Sequence, residues 1–370
     1  MSAMTRIRTR VAVVGAGAAG CAAALALRRA GCEVALIDRV AGPVTRFCGE
    51  FLSGEALAPL ERLGVDVDRL GACVVRHSAL YGCGGSQVRI DLPIPGRGVA
   101  RRTLDGELLR LAGQRGAQVI EGVSVNRIER RPAGFFVAAD NLEIEAQAVI
   151  GAWGRRSPLD RVLDREFLHR DSDWVGVKAH FQGPAPSSEV GLYLFPGGHC
   201  GFVNVDGGRG TLGVLARRSA LQAAGRPLDL IASARRSNTA LDQRLASAHL
   251  DIHSLLTIGQ IPLTPKHSVR DGILLVGDAG GTTAPFLGLG VTNAIRSGEA
   301  AAGCLASSSD PAGAYALWRR EAVDRGRRLG YAASAGLSSG WIGEAAVRCL
   351  SLAPGLMRGF YSLSRNPEPA

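Results

Sequence analysis

The segment Gly15-Ala16-Gly17-Ala18-Ala19-Gly20 limits what this chain can fold into more than any other. It follows Val11-Ala12-Val13-Val14, a short apolar run suited to a buried parallel strand. It opens an Ala- and Leu-rich stretch from Ala18 to Ala30 that has high helix propensity and stops at Gly31. Glu33 to Ile37 reads as a second strand closed by Asp38, so the N-terminal stretch is a βαβ unit. Gly15 permits the tight turn, Gly17 lets the backbone approach a pyrophosphate, and Gly20 lets helix and strand pack closely. Around Ala18 and Ala19 the helix start offers unpaired N–H groups and a positive dipole end to phosphate. Asp38, followed by Arg39, lies 18 residues beyond Gly20, where a carboxylate can accept hydrogen bonds from an adenosine ribose. The glycine spacing alone is a weak signal. Set between this strand and this helix, it indicates dinucleotide binding without separating FAD from NAD.

A second strand-to-helix turn lies far downstream. Gly272-Ile273-Leu274-Leu275-Val276 reads as a buried strand, followed by Gly277-Asp278-Ala279-Gly280. Pro285-Phe286-Leu287-Gly288-Leu289-Gly290 then leads into a helical pattern from about Val291 to Leu305. Together the two turns resemble the FAD-binding family that includes aromatic hydroxylases and geranylgeranyl reductases. The resemblance implies that Asp278 binds the ribityl chain of FAD. It places Pro285, Gly288, Leu289 and Gly290 beside the isoalloxazine ring, where a helix N-terminus stabilises the negative charge of reduced flavin. Arg101-Arg102-Thr103-Leu104-Asp105 looks like the family's helix start, with Arg101 contacting FAD. Gly116–Glu121 and Val123-Ser124-Val125 resemble the strand pair flanking the adenine, and 135–145 reads as a hairpin.

The fold expected is α/β: a Rossmann-like FAD-binding domain of three-layer ββα architecture, interleaved with an α+β substrate domain built on an antiparallel sheet. The first is assigned to 1–73, 99–165 and 263–310, the second to 74–98 and 166–262, with C-terminal helices over 311–370. Short strands around Phe181, Val190–Phe195, Cys200–Val205 and Thr211–Leu215, separated by Gly/Pro turns, make up the second sheet.

Three segments narrow the chemistry. Arg46-Phe47-Cys48-Gly49-Glu50 resembles the Cys-Gly segment of the geranylgeranyl reductase branch, which lies near the flavin. Cys48 is a candidate pocket residue, and Glu50 a proton donor if its surroundings raise its pKa. At Gly151-Ala152-Trp153-Gly154 the related hydroxylases carry Asp-Gly. Trp153 can stack or fill space but cannot accept hydrogen bonds as a carboxylate does, so electrons come from NAD(P)H or from a separate reductase or ferredoxin. Gly191-Leu192-Tyr193-Leu194-Phe195-Pro196 matches part of a substrate motif of geranylgeranyl reductases, which makes Tyr193 and Phe195 pocket candidates beside Trp153. His180 is a further acid or base candidate.

Composition removes other classes. With 46 % hydrophobic and 21 % charged residues the chain reads as an ordinary globular protein, and no apolar run reaches the roughly 18 residues of a membrane span. The stretch Met1–Arg10 has no apolar core or cleavage site of a secretory signal, so a cytoplasmic location is expected. The net charge of +10 comes almost wholly from scattered arginines, Lys178 and Lys266 being the lysines, and no basic block is interleaved with aromatics. Nucleic-acid binding is therefore not expected. The eight cysteines show no Cys-x-x-Cys pair or zinc spacing, and no metal site is expected. The apolar C-terminal segment with Arg348, Arg358 and Arg365 suits peripheral membrane contact. The sequence thus points to a flavoenzyme that hydroxylates a lipophilic or aromatic metabolite or reduces its double bond. A non-catalytic flavin-binding or electron-carrier component is the alternative.

Overall fold

Two eight-stranded sheets organise the chain. The computed structural model describes residues 5–365; residues 1–4 of the stretch read above for a secretory signal, and 366–370 of the C-terminal helices, lie outside it. Five parallel strands form the spine of the first sheet, in the order Ile273–Leu275, Leu142–Gly151, Thr5–Val14, Val34–Ile37, Gln118–Ile120. Both faces of this spine are covered, which explains why Val11–Val14 carries no polar residue. Val11 and Val13 face a helical layer, while Ala12 and Val14 face an antiparallel β-layer. The β-layer is a meander of Val125–Arg131, Gly134–Ala139 and the first half of Leu142–Gly151. The helical layer comprises Ala18–Arg29, Arg101–Gln114 and Gly290–Ser307. Sheet, meander and helices give the three-layer ββα arrangement.

Small residues set the spacing of the helical layer. Ala18–Arg29 is buried from Ala18 to Leu27, and a Cβ on Gly298 of the facing helix would overlap the Ala19 carbonyl oxygen. Such contacts bring the two helix backbones together over the strand ends.

The second sheet runs His249–Ile258, Trp174–Gln182, Arg209–Arg217, Gly198–Val205, Glu189–Phe195, Cys73–Tyr81, Gln87–Gly98, Phe51–Leu52. It is antiparallel except where Glu189–Tyr193 pairs in parallel with His77–Tyr81. Phe51–Leu52, which sequence reading places with the first domain, is hydrogen-bonded to the end of this sheet. Short helices at Arg218–Ala224, Pro227–Ser237 and Thr239–Leu245 cover one face, where Val177, Ala179, Phe181, Tyr193 and Phe195 are buried. The opposite face turns toward the first domain. Helices Arg325–Leu337, Gly340–Leu352 and Pro354–Ser364 then close the chain over the far end of both units, the last opened by Pro354 at its first turn.

The glycine turn is packed without slack. Gly15 has φ 111° and lies against the Ala152 main chain, and a Cβ on Gly20 would overlap the Gly15 carbonyl oxygen. Gly20→Val is therefore expected to lower unfolding stability by about 1–3 kcal/mol in urea titrations, whereas Gly303→Ala, inside a helix with open space around it, should not destabilise.

Candidate active site

Between the two units lies a cavity of about 700 Å³. One wall is the glycine turn and the strand ends of the first sheet: Gly15, Gly17, Ala18, Ala19, Asp38, Arg39, Arg101, Val125 and Trp153 all line it. The downstream turn supplies Gly277, Asp278, Pro285, Gly288 and Gly290. Two motifs separated by most of the chain thus meet across one space. Gly20 and Leu289 are not in its wall. Gly20 packs under the turn, and Leu289 is buried in an apolar cluster with Phe286 and Leu287.

Both helices that open here arrive uncapped. Gly17 and Leu289, their N-cap residues, make no side-chain cap, and neither first turn carries an acid. The unpaired N–H groups are left for a ligand. A Cβ on Gly17 would meet only the guanidinium groups of Arg46 and Arg101, at 3.8 and 3.9 Å, so the backbone stands open toward two cations. Asp38 accepts hydrogen bonds from Ala16 N at 2.7 Å and Val40 N at 3.0 Å, which fixes the turn. Asp105 holds both arginines: Arg101 donates to it twice, at 2.9 and 2.8 Å, and Arg46 once, at 3.0 Å. These features suit an extended, anionic dinucleotide such as FAD, with Asp278 beside Arg155 at the other end (3.9 Å). Lys266 donates to the Arg155 and Asp278 carbonyls at 2.6 and 3.0 Å, and its burial pulls its pKa down to about 7.

The floor of the cavity is a buried ion cluster centred on Glu50. Its carboxylate accepts from Lys178 Nζ at 2.5 Å and the Arg101 main-chain N–H at 2.9 Å on one oxygen. On the other it is bonded to His180 Nε2 at 2.8 Å and Thr211 Oγ1 at 2.5 Å. Burial alone would raise its pKa, but hydrogen bonds from His180, Lys178 and Thr211 and the charge of Lys178 outweigh that and hold it near 2. This overturns the expectation of Glu50 as a proton donor: it is a carboxylate with no proton to give. Glu50 also sits at φ 61°, in the left-handed region that a side chain rarely adopts. Four donors to its carboxylate, and its own N–H reaching Cys48 Sγ at 3.3 Å, hold it there.

The cluster pins the 46–50 segment between the two units. Lys178 also donates to the Arg46 carbonyl at 3.1 Å, and Arg155 to that of Phe47 at 3.2 Å. Cys48 is thereby held half-buried in the cavity wall. Trp153 lines the cavity while its Nε1 donates to the buried Asp160 at 3.1 Å. His180, 5 % exposed, faces Glu50. Tyr193 and Phe195 are displaced from the expected pocket. They point to the helix-covered face, Tyr193 stacked on Tyr81 with centroids 4.9 Å apart. Strand alternation is the reason: Val190 and Leu192 are the residues of that strand in the cavity wall.

Sequence reading did not single out Arg46, Lys178, Thr211 or His199. For Lys178 a signal existed, since one of two lysines stands in an otherwise apolar strand two residues from His180. Lys178, His180 and Thr211 belong to neighbouring strands, with His180 opposite Thr211 in register, and only that pairing brings them to one carboxylate.

Glu50→Gln leaves the Lys178 ammonium buried without its counter-charge. A loss of about 3–5 kcal/mol is expected by urea unfolding at neutral pH, partly recovered in Glu50→Gln/Lys178→Met. Because the folded pKa of Glu50 lies below its ordinary 4.5, its contribution is complete above that pH and disappears as pH falls through about 2. Stability measured across this window should fall more steeply in the wild type than in the double variant.

Comparison with known proteins agrees with this geometry. Residues 8–313 match the family described as FAD binding domain. The chain is 31 % identical over 332 residues to menaquinone reductase of Mycobacterium tuberculosis, covering 80 % of this chain and 76 % of that protein. It is 26 % identical over 313 residues to digeranylgeranylglycerophospholipid reductase 2 of Methanopyrus kandleri, covering 79 % and 75 %. A geranylgeranyl bacteriochlorophyll reductase-like structure from Thermoplasma acidophilum shares the fold, with TM-score 0.80 and 21 % identity over 94 % of this chain and 92 % of that one. The chain belongs to the FAD binding domain family and is an FAD-dependent oxidoreductase of the monooxygenase and reductase superfamily.

Proposed function

We propose that this enzyme reduces a carbon–carbon double bond in the isoprenoid part of a lipophilic molecule such as a prenylated quinone. The observation that carries this reading is the shape of the cavity. It runs from the glycine turn, past Cys48, into a chamber walled by Leu92, Val190, Leu192, Val203, Phe286, Leu287, Met357 and Phe360. Such a lining suits an apolar chain, with Ser78, Tyr361 and Arg365 as polar groups in the same wall. The names of the reductases to which the chain is similar support the same substrate class.

FAD bound here, once reduced by an electron donor, would supply the two electrons of the reduction as hydride. Gly15, Gly17, Ala18, Ala19, Asp38, Arg39, Arg101 and Val125 hold the adenine, ribose and pyrophosphate end, with Arg46 joining Arg101 at the phosphates. Gly277, Asp278, Pro285, Gly288 and Gly290 hold the flavin end. As hydride reaches one alkene carbon, a proton must reach the other, and in this reading the Cys48 thiol gives it. Its Sγ accepts the Glu50 N–H and lies beside the Arg101 guanidinium. Water reprotonates it after product leaves. Glu50 and His180 are positioning residues here, holding the loop that carries the thiol.

The C-terminal helix Pro354–Ser364 gives the substrate a route in. Met357 and Phe360 face the chamber, while Leu356 and Leu363 are exposed on the outside with Arg358. Trp341 and Leu352 are more exposed still, at 77 % and 87 %. No described helix is long and apolar enough to cross a membrane, so this surface fits contact with the face of a bilayer.

Anaerobic incubation of the FAD-loaded enzyme with a short-tailed menaquinone and dithionite should yield a product heavier by two hydrogens in the tail by mass spectrometry. Oxygen-dependent hydroxylation instead would overturn the reading. Cys48→Ala should retain FAD and lose about 100-fold in kcat. Anaerobic NADPH titration separates the electron donors: bleaching of the flavin absorbance assigns NADPH, and a flavin that stays oxidised assigns a separate reductase or ferredoxin. In flotation assays the protein should rise with anionic vesicles, and Trp341→Ser/Leu356→Ser should reduce the bound fraction several-fold.

A further inference from the structure

The carbonyls of the downstream turn are taken up by side chains that are not in the cavity wall. Lys266 Nζ donates to that of Asp278 at 3.0 Å and Arg165 to that of Ala279 at 2.7 Å. Arg319 donates to Gly281 at 3.0 Å and Tyr331 to Thr282 at 2.6 Å. Lys266, Arg165 and Arg319 are all buried, so the turn is backed by cations. Lys266 reaches farthest toward the cavity. Its ammonium also holds the Arg155 carbonyl at 2.6 Å, and Arg155 and Asp278 both belong to the cavity wall.

The three cations differ in their counter-charges. Arg165 is paired with Asp160 at 3.3 Å, and Arg319 lies 3.8 Å from Asp324. Lys266 forms no ion pair among the described residues: its partners are the two carbonyls and the face of Phe167, 4.0 Å from Nζ. The acids that face it are engaged elsewhere. Asp160 accepts from Arg165, Trp153 and the Ser157 N–H, and Asp278 lies beside Arg155. Burial, with Arg165 and Arg155 nearby, outweighs the pull of Asp160 and Asp278 and brings the Lys266 pKa down to about 7. A buried ammonium with no adjacent anion gains most from a negative charge that arrives later.

We propose that Lys266 is a positioning residue for the flavin: its charge, set behind the Asp278 peptide, stabilises the reduced ring and raises the reduction potential. This rests on the reading that Gly277, Asp278, Pro285, Gly288 and Gly290 hold the flavin end of FAD. Oxidised flavin is neutral, and two electrons with one proton leave the reduced ring with one net negative charge. A nearby cation therefore favours the reduced form. The coupling is reciprocal, so reduction raises the pKa of Lys266 in turn. Below about pH 7 the ammonium is charged in both redox states and its effect is complete. As pH rises above that value the lysine loses its proton, and the effect disappears.

The test is anaerobic potentiometry of the FAD-loaded protein. Lys266→Gln keeps a donor for the two carbonyls and removes the charge. At about pH 6 it should lower the midpoint potential by about 30 mV or more, the two-electron equivalent of a tenfold loss of preference for reduced flavin. The gap to wild type should close toward about pH 9, and affinity for oxidised FAD should change by less than about threefold. Equal potentials at the lower pH would overturn the assignment and leave Lys266 as a brace that glutamine replaces. Wild type gives a second measurement that needs no variant, because Lys178 and Lys266 are the chain's two lysines. With lysine carrying ¹³C at the ε position, one of two NMR signals should titrate near neutrality and move up by about one pH unit on reduction. The same midpoint in both redox states would also overturn the assignment. Asp278→Ala separates the two readings. If it alters neither FAD affinity nor potential, the flavin-end reading fails and Lys266 with it; if it alters them while Lys266→Gln does not, only the role of Lys266 fails.

Discussion

The Glu50 carboxylate joins what the chain otherwise keeps apart. It takes hydrogen bonds from the helix start at Arg101, in the first unit, and from Lys178, His180 and Thr211 on two strands of the second. A buried carboxylate with an unmet acceptor site would be a liability, and so would a buried ammonium without an anion. Each partner therefore requires the others, and the two sheets can only dock in the register that assembles them all. Asp206 reinforces the same junction, accepting from Ala100 N at 2.6 Å and Thr103 Oγ1 at 2.8 Å. The strained backbone at Glu50 is the local cost of this docking, and its result is a rigid loop that sets Cys48 into the cavity wall.

From that junction the cavity changes character along its length. At the glycine turn, N–H groups, Arg46 and Arg101 make it electropositive, tempered by Asp38 and Asp105. Farther on, side chains of the second sheet and the C-terminal helices make it apolar. One continuous space thus has an electropositive end suited to an anionic cofactor and a more apolar end beyond it. The fold itself does not choose between hydroxylation and reduction.

Much of the first unit was legible in the sequence because its constraints are local. A strand, a glycine turn and a helix in immediate succession leave few alternatives, and the same holds for the strand ending at Gly277-Asp278. The site was less legible. Tyr193 and Phe195 read as pocket residues from a partial motif, yet a period of two along the strand sends them to the opposite face from Leu192. Glu50 read as a proton donor if burial raised its pKa, or else as a salt-bridge or capping residue, and its four hydrogen-bond donors, which come from distant strands, decide for the ion pair.

By itself the sequence determined the βαβ entry, the second turn that answers it, the ββα layering and the presence of a second, mainly antiparallel sheet. The βαβ entry and the turns follow from periodicity and from glycines whose backbone demands no other residue meets, and the layering from the family resemblance that those motifs carry. Only the tertiary structure decided which face each strand of the second sheet presents and that Lys178, His180 and Thr211 converge on Glu50. Those facts depend on register between strands distant in the chain. A one-residue slip would exchange every inward side chain for an outward one, and no local pattern records which of the two the packing will choose.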